Sequence, residues 1–520
     1  MRQENPWLVT IAVTVGTLMG ALDTSIVNVA MPYIRANLGA TVTEVTWIST
    51  GYIIALVIIM PLTAWLGATF GRKRVYMSCL VLFTVASFFC GSARSLMSLL
   101  VFRVIQGAGA GALQPTEQAI LRETFPAEKQ AMAMSLYGLA VMIGPAIGPT
   151  LGGWITDNYN WPWIFYVNVP VGIAGLWMVN RFVHDPPHAK VQRGKAGVDF
   201  VGIGLLAVGL ASLQTVLEEG ETNDWFNSPM IAGLTFIAVV TLATFLWWER
   251  RVEKPVVDLS VLKNPSFTTG TVIGGVLGVS LYASLFLLPL FMQELLQYPA
   301  TKSGLVLMPR SLIMILLMPV AGALYNPLGP KIMVGAGLLV AGAAPIMMSH
   351  FSLDTGGMSL FWPQVVQGMG FVMIFVALST ASLSGIERTK MTSATGLYNL
   401  VRQLGGSFGT AIFATLLSRT TQTGHAVLAE RVNEFNPAFM TRLQQLQQAF
   451  VSRGIDPWAA KQKAMAVIEG SISQQAAVLA FERAFFLIGA LFFVCFPLVL
   501  LLKAAPRGGS VAQHPEPVEV

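Results

Sequence analysis

The stretch GLAVMIGPAIGPTLGGWI, residues 138–155, runs through eighteen positions without a charge. A helix needs about 20 apolar residues to cross a bilayer. Gly144, Gly148 and Gly152 recur every fourth residue. They fall on one helix face and let a second backbone come close. Pro145 and Pro149 lie in the same stretch and bend it. The segment reads as a membrane-spanning helix with a smooth packing face and a built-in hinge.

The rest of the chain agrees with a membrane reading. Its 520 residues are 54% hydrophobic and only 11% charged, with a mean hydropathy of +0.64. A soluble chain carries about 25% charged residues. The net charge of +6 does not point to nucleic acid, because the basic residues sit in short loops between apolar runs. Cys79, Cys90 and Cys495 all fall inside apolar segments and form no disulfide framework or metal motif. The first apolar run lacks a small-residue cleavage site at its end and reads as a retained helix.

Apolar runs of spanning length fall near 8–30, 44–66, 75–93, 97–121, 132–155, 163–182, 200–217, 230–248, 267–290, 303–325, 332–350, 358–383, 394–418 and 482–503, fourteen in all. One set of loops carries Arg72, Lys73, Arg74, Arg122, Lys129, Arg181, Lys190, Arg193, Lys195, Arg250, Arg251, Lys254, Lys263, Lys331, Arg388 and Lys390. The alternate set has little beyond Arg35, Arg94 and Lys302, with an acidic turn at Glu218, Glu219, Glu221 and Asp224. The basic side is expected to be cytoplasmic, and an even helix count places both termini there. Residues 419–481 form a long outer connection, in which NPAFMTRLQQLQQAF and DPWAAKQKAMAVIEG read as two amphipathic helices. The polar tail 506–520 is expected to be disordered and cytoplasmic.

The chain repeats itself. At an offset of 258, Gly16 meets Gly274, Gly20 meets Gly278, Pro61 meets Pro319, Gly71 meets Gly329 and Lys73 meets Lys331. At an offset of 261, Gln106-Gly107 meets Gln367-Gly368, Leu136-Tyr137 meets Leu397-Tyr398, Gly144 meets Gly405 and Gly148 meets Gly409. The order of these matches carries the inference, not any single glycine. Three units follow: a six-helix half over 1–190, a two-helix insert over 191–262, and a second six-helix half over 263–505. Parallel repeats of six helices are the layout of major facilitator transporters, which bind substrate near the midplane between the halves. Charges are not repeated: Asp23 corresponds to Leu281, and Arg103 to Gln364.

A carboxylate at the centre of an inserting helix costs roughly 2.5–3.5 kcal/mol. Asp23 and Arg103 both sit about 7–9 Å outward from the middle of their helices, counting 1.5 Å per residue. At one depth they form either a static ion pair or a proton-coupling pair. In the second reading burial and Arg103 act on Asp23 in opposite senses, and a change in either releases its proton. Glu117, near the cytoplasmic end of the fourth span, is either a wet carboxylate at a cavity mouth or a second proton or cation site. Arg402 lies mid-helix and either bonds backbone carbonyls or lines a cavity. Asn28, Gln106, Gln114, Gln367 and Asn399 are the other polar candidates for that cavity. Arg310 and Glu294 lie toward the outer side, where they can pair. The five histidines sit in loops, termini or span ends, so no histidine relay is expected. GGSFG, 405–409, fits a nucleophile-elbow pattern but lies mid-helix, and GAGAGA, 107–112, has no strand before it. Both are packing faces.

Several segments resemble the fourteen-helix drug:proton antiporters of the major facilitator superfamily. AWLGATFGRKR, 64–74, is similar to its loop signature between helices 2 and 3, carried here by Gly71, Arg72 and Lys73. Ala68 stands where the family has an Asp. FRVIQGAGAGALQP, 102–115, resembles the fourth-helix signature. The doubled Gly-Pro of 144–149 resembles the fifth-helix signature of the antiporters, which implies export. LDTSIVNVAMP, WPWIFYVNVPVG and NLVRQLGGSFGTAI resemble the family's first, sixth and thirteenth helices. With the long outer connection, the resemblance is to EmrB-type (EmrB/QacA) exporters of Gram-negative bacteria. It implies an inner-membrane multidrug antiporter, proton coupling at Asp23 tuned by Arg103, and a periplasmic adaptor and outer-membrane channel as partners. It implies no cofactor, the proton gradient being the drive. A dedicated exporter of one metabolite or fatty acid on the same fold is the alternative. No triad, nucleotide loop or metal-ligand cluster favours a membrane enzyme, and the unbroken repeat argues against a channel.

Overall fold

The computed structural model describes residues 5–184, 199–253, 255–430, 432–433 and 435–502. Lys190, Arg193, Lys195, Lys254, the 190/191 boundary and the tail 506–520 lie outside them. Of Pro145 only the backbone is described. Among the described residues the chain is helical and contains no strand. Thirteen helices are long and apolar enough to cross a membrane. One of these, Lys302–Met348, is two helices meeting at Gly329, so the fourteen expected runs are all helical. This is a multi-pass membrane protein.

The first spans are α1 (Pro6–Leu38), α2 (Val42–Phe70) and α3 (Arg72–Gly91). The fourth is split into α4 (Leu96–Gly111) and α5 (Leu113–Thr124), and α6 (Gln130–Asn158) is the fifth. The sixth starts with a short turn, α7 (Trp163–Tyr166), and continues as α8 (Asn168–Phe182). Then come α9 (Phe200–Glu219), α10 (Pro229–Glu249), α11 (Pro265–Glu294), α12 (Ala300–Met348), α13 (Gly357–Ala381), α14 (Met391–Ala429), α15 (Pro437–Val451) and α16 (Pro457–Cys495). Polar caps start many of them. Asn5 Oδ1 accepts from Trp7 N at 3.0 Å. Thr41 and Glu44 form a reciprocal capping box. Asp456 accepts from Trp458 N and Ala459 N. Gly39, with φ 64°, closes α1 in a left-handed conformation that only glycine takes freely.

The internal repeat is visible in backbone and side chains. Gly71 and Gly329 both adopt positive φ, 87° and 77°, at the same helix junction. The lysine two residues on then reaches back to a helix end: Lys73 Nζ donates to Asn180 O at 2.8 Å, and Lys331 Nζ to Leu500 O at 3.0 Å. Gly144, Gly148 and Gly152 of α6 lie against Ala21, Ser25 and Ile26 of α1. Gly405 and Gly409 of α14 lie against Gly275 and Val279 of α11 in the same manner. Gly209 of α9 packs on Leu242 of α10, and α9 bonds to α14 through Gln214 Nε2 and Ser407 Oγ at 2.8 Å.

The outer connection differs from the sequence reading in one respect. α15 is the separate amphipathic helix expected at 436–450. The second expected helix is the beginning of α16, which runs unbroken for 39 residues into the last span. No proline follows Pro457 inside α16, and its alanine- and glutamine-rich start favours helix throughout. α14 likewise extends 39 residues, and His425 on it lies 2.6 Å from Glu469 on α16.

The α6 face tolerates little bulk. A Cβ on Gly144 would lie 2.6 Å from the Ala21 carbonyl oxygen, whereas one on Gly153 would meet only Val29 Cγ1, at 4.0 Å. Gly144→Val is therefore expected to destabilise the protein by about 1–3 kcal/mol through overpacking, lowering its thermal unfolding midpoint in detergent. Gly153→Ala is expected to leave that midpoint in place.

Candidate functional site

Asp23 is fully buried on α1. Its Oδ2 accepts from Arg103 Nη1 at 2.5 Å. Its Oδ1 accepts from Gln106 Nε2 at 2.9 Å and from Asn168 Nδ2 at 3.0 Å. Arg103 Nη1 also donates to Gln106 Oε1 at 2.8 Å, and Arg103 Nε to Ile48 O at 3.2 Å. Its guanidinium lies 4.2 Å from the centroid of the Tyr52 ring. Ser87 Oγ accepts from both amides and donates to Phe165 O at 2.9 Å. Asp23 thus receives three donors, one of them cationic, which matches the demand of a buried charge for a complete polar shell.

Local structure explains how these groups meet. Arg103 and Gln106 are three residues apart on α4 and share a face. The short turn α7 breaks the sixth span just before Asn168, and that break aims the Asn168 amide at Asp23. Sequence reasoning singled out Asp23, Arg103 and Gln106 but passed over Asn168, Ser87 and Tyr52. Asn168 lay inside WPWIFYVNVPVG and was recognisable as the one amide in that stretch.

A second polar group joins the two ends of the repeat. Arg402 Nη2 donates to Gln114 Oε1 at 2.8 Å and to Asn399 Oδ1 at 3.1 Å. Asn399 Nδ2 donates to Gln118 Oε1 at 2.8 Å, and Tyr137 OH to Asn399 Oδ1 at 3.4 Å. Nearer the basic loops, Asn326 Nδ2 donates to Glu128 O at 2.8 Å and Arg72 Nη2 to Arg388 O at 3.4 Å. Gly396 lies against the Met60 backbone, and Gly322 against Met132 and Ser135. These cross-contacts gather on the side of the basic loops. Arg72 also forms an ion pair with Glu123, a carboxylate from α5 in place of the one that Ala68 lacks.

Glu117 is not at a wet cavity mouth. It is fully buried, and its carboxyl accepts from Thr14 Oγ1 at 2.9 Å and from Thr17 Oγ1. Arg310 does not meet Glu294, which is exposed at the end of α11. Arg310 donates instead to Gln367 Oε1 at 3.1 Å, and Gln367 Nε2 to Ser284 Oγ at 2.9 Å. Asn28 is exposed and accepts from Ser49 Oγ at 3.1 Å, apart from the other candidates. No cluster of three potential metal ligands occurs among the described residues.

A family model described as Major Facilitator Superfamily matches residues 13–410. The chain belongs to this superfamily. Among relatives it is 33% identical to the multidrug export protein EmrB of Escherichia coli K12, over 99% of this chain and 100% of that one. It is 33% identical to the fatty acid resistance protein FarB of Neisseria gonorrhoeae, over 96% and 97%. It is 29% identical to the colistin resistance protein EmrB of Acinetobacter baumannii, over 97% and 98%. The fold matches the proton:xylose symporter XylE with a TM-score of 0.61, at 12% identity and 96% coverage of each chain. It is a transporter fold, and the protein is a transporter rather than an enzyme.

Within this major facilitator chain the Asp23 shell makes a sharp demand on Arg103. Removing the cation strands a buried carboxylate, which costs about 3–5 kcal/mol. Arg103→Ala is expected to unfold at markedly lower temperature than wild type. Arg103→Lys keeps the charge but loses the second geometry of the guanidinium, so its midpoint is expected between the two.

Proposed function

We propose that this protein is a proton-driven exporter of hydrophobic or amphipathic small molecules. The observation that carries the reading is the ion pair of Asp23 and Arg103, buried among five spans of one half. A neutral carboxyl at Asp23 would no longer need Arg103, so a proton arriving there frees the pair to rearrange. The names of the EmrB relatives support export of drugs. The chain then divides into a six-helix half, 1–190, a two-helix insert, 191–262, and a second half, 263–505, which rock about the packed faces of α1 with α6 and α11 with α14. Gly144, Pro145, Gly148, Pro149 and Gly152 form the hinge face. With the basic loops in the cytoplasm, both termini are cytoplasmic, and the cross-contacts at Gln114, Gln118, Asn399 and Arg402 seal the cytoplasmic side. The structure then represents the state that opens outward, and Arg402 becomes available to substrate when the seal opens. The membrane is the inner membrane of a bacterium.

The helices over 419–481 stand beyond the membrane and serve as the contact for a periplasmic adaptor, which passes substrate to an outer-membrane channel. Replacing residues 432–456 with a short Gly-Ser linker is expected to abolish co-purification of a co-expressed adaptor subunit while leaving the transporter folded. Retained co-purification would remove this part of the reading. A second reading, export of one fatty acid or related amphiphile, draws on the FarB relative and on two cations within the spans, buried Arg310 and half-buried Arg402. Protection of cells against a narrow set of compounds in a drug panel would favour it.

The central test uses proteoliposomes with an imposed pH gradient and tetraphenylphosphonium as the hydrophobic cation. Wild type is expected to accumulate the cation in response to the gradient. Asp23→Asn is expected to bind it with little change but to lose the response to the gradient. A full response in Asp23→Asn would reduce Asp23 and Arg103 to a structural pair.

A further inference from the structure

We propose that Glu117 is a second proton site, in series with Asp23, so that each transport cycle moves two protons. This rests on the proton-driven reading above and extends it. The two carboxyl groups are solvated in opposite ways. Asp23 has a guanidinium and two amide donors. Among the described residues Glu117 has the hydroxyls of Thr14 and Thr17 as its side-chain donors. It is fully buried, and among the described residues no Lys, Arg or His pairs with it.

A hydroxyl differs from a guanidinium in that it can turn and accept. Thr14 and Thr17 can therefore hold either a carboxylate or a carboxylic acid, with one O–H donated by Glu117 itself. A carboxylate with no cation in a dry helix bundle is expensive, and a proton removes the charge. In this arrangement Glu117 holds a proton while Asp23 is held as the ion.

The titratable and charged groups carried by the elements that pack against α5 are identifiable. α3 presents Tyr76, whose hydroxyl donates to Val13 O. α6 presents Tyr137. α14 presents Arg402, which is bound by Gln114 and Asn399. α2 and α4 present Tyr52 and Arg103, which belong to the Asp23 group. Arg122, on α5 itself, is bound to Gln130. Thr17 and Asp23 are six residues apart on α1, about 9 Å along the axis at 1.5 Å per residue. The two sites are therefore stacked along one helix, Asp23 on the outer side and Glu117 on the inner.

Position also couples Glu117 to the seal. α5 is a short helix, set off from α4 at Ala112. Gln114 and Gln118, on either side of Glu117, bind Arg402 and Asn399 of α14. Opening the cytoplasmic side must break those two bonds. Water then reaches α5, and Glu117 gives its proton to water, leaving a carboxylate and a hydronium ion. The carboxylate so formed faces the space from which Arg402 has been released. On closing from the cytoplasm, Glu117 takes up one proton again by way of the outer side.

Infrared titration of the full-length protein in lipid tests the site without any substrate. At neutral pH, wild type is expected to show a protonated-carboxyl C=O band that is absent from Glu117→Gln and retained in Asp23→Asn. Glu117→Asp is expected to restore a band, which separates loss of the acid from loss of the fold. An unchanged band in Glu117→Gln, or a band abolished by added Na⁺ rather than by raised pH, overturns the proposal; the second result makes Glu117 a cation site. In proteoliposomes, the dependence of tetraphenylphosphonium accumulation on the pH gradient is expected to fall from two protons per cation in wild type to one in Glu117→Gln. One proton per cation in both proteins also overturns it. A wild type indifferent to the gradient would instead defeat the proton-driven reading, whatever the infrared band shows.

Discussion

A charge that water cannot reach must find its entire solvation shell inside the bundle. Asp23 does so by drawing on most of the first half at once. Arg103 and Gln106 come from α4, Asn168 from α8, and Ser87 from α3. The Ile48 carbonyl and the Tyr52 ring come from α2 and occupy the remaining faces of Arg103. None of these elements can shift relative to α1 without exposing or orphaning a polar atom. A few charge-assisted contacts therefore tie these spans of that half into one body. The glycine faces do the complementary work, since they let the backbones of α1 and α6 approach closely at Gly144, Gly148 and Gly152.

The two halves show which features the fold requires and which belong to one half alone. Gly71 and Gly329 keep the same left-handed backbone, and Lys73 and Lys331 keep the same reach to a helix end. Gln106 and Gln367 each hold an arginine and a serine. The charged positions diverge. Arg310 occupies the place that corresponds to Tyr52, and Gln364, at the position of Arg103, has both amide atoms buried without a partner. The second half thus keeps a buried cation, and among the described residues no carboxylate pairs with it. Among the described residues the buried carboxylate–arginine pair belongs to the first half, and the second presents Arg310 bound to an amide instead.

Much of this was legible from sequence because hydrocarbon imposes strong constraints. Spanning helices must be long and apolar, so the fourteen runs stood out, and the ordered matches at Gly71 with Gly329 and Gln106 with Gln367 marked the repeat. Asp23 and Arg103 were conspicuous because charge is rare there, and counting residues put them at one depth. What escaped were residues whose role depends on the neighbour they face. Asn168 and Ser87 are ordinary small polar residues until the break at α7 turns them toward Asp23. Depth alone also misled: it placed Arg310 opposite Glu294, but helix rotation turned Arg310 inward to Gln367 and left Glu294 exposed. Of the two readings open for Glu117, a wet carboxylate at a cavity mouth or a second proton or cation site, the first came from its place near a helix end; α5 packs between α1 and α14, and Glu117 is buried.

The unbroken course of α16 has a mechanical meaning. Its first 25 residues precede the expected span and its remainder forms the first part of that span, continued by the 3-10 turns of Phe496–Leu501, with no break inside α16. At 1.5 Å per residue the outer part is a rod of roughly 38 Å, so tilting the span by about 10° would sweep its far end by about 7 Å. α14 runs beside it and is tied to it through His425 and Glu469. The pair is a lever continuous with the last span, so that a small tilt of that span becomes a larger displacement at the far end of the helices.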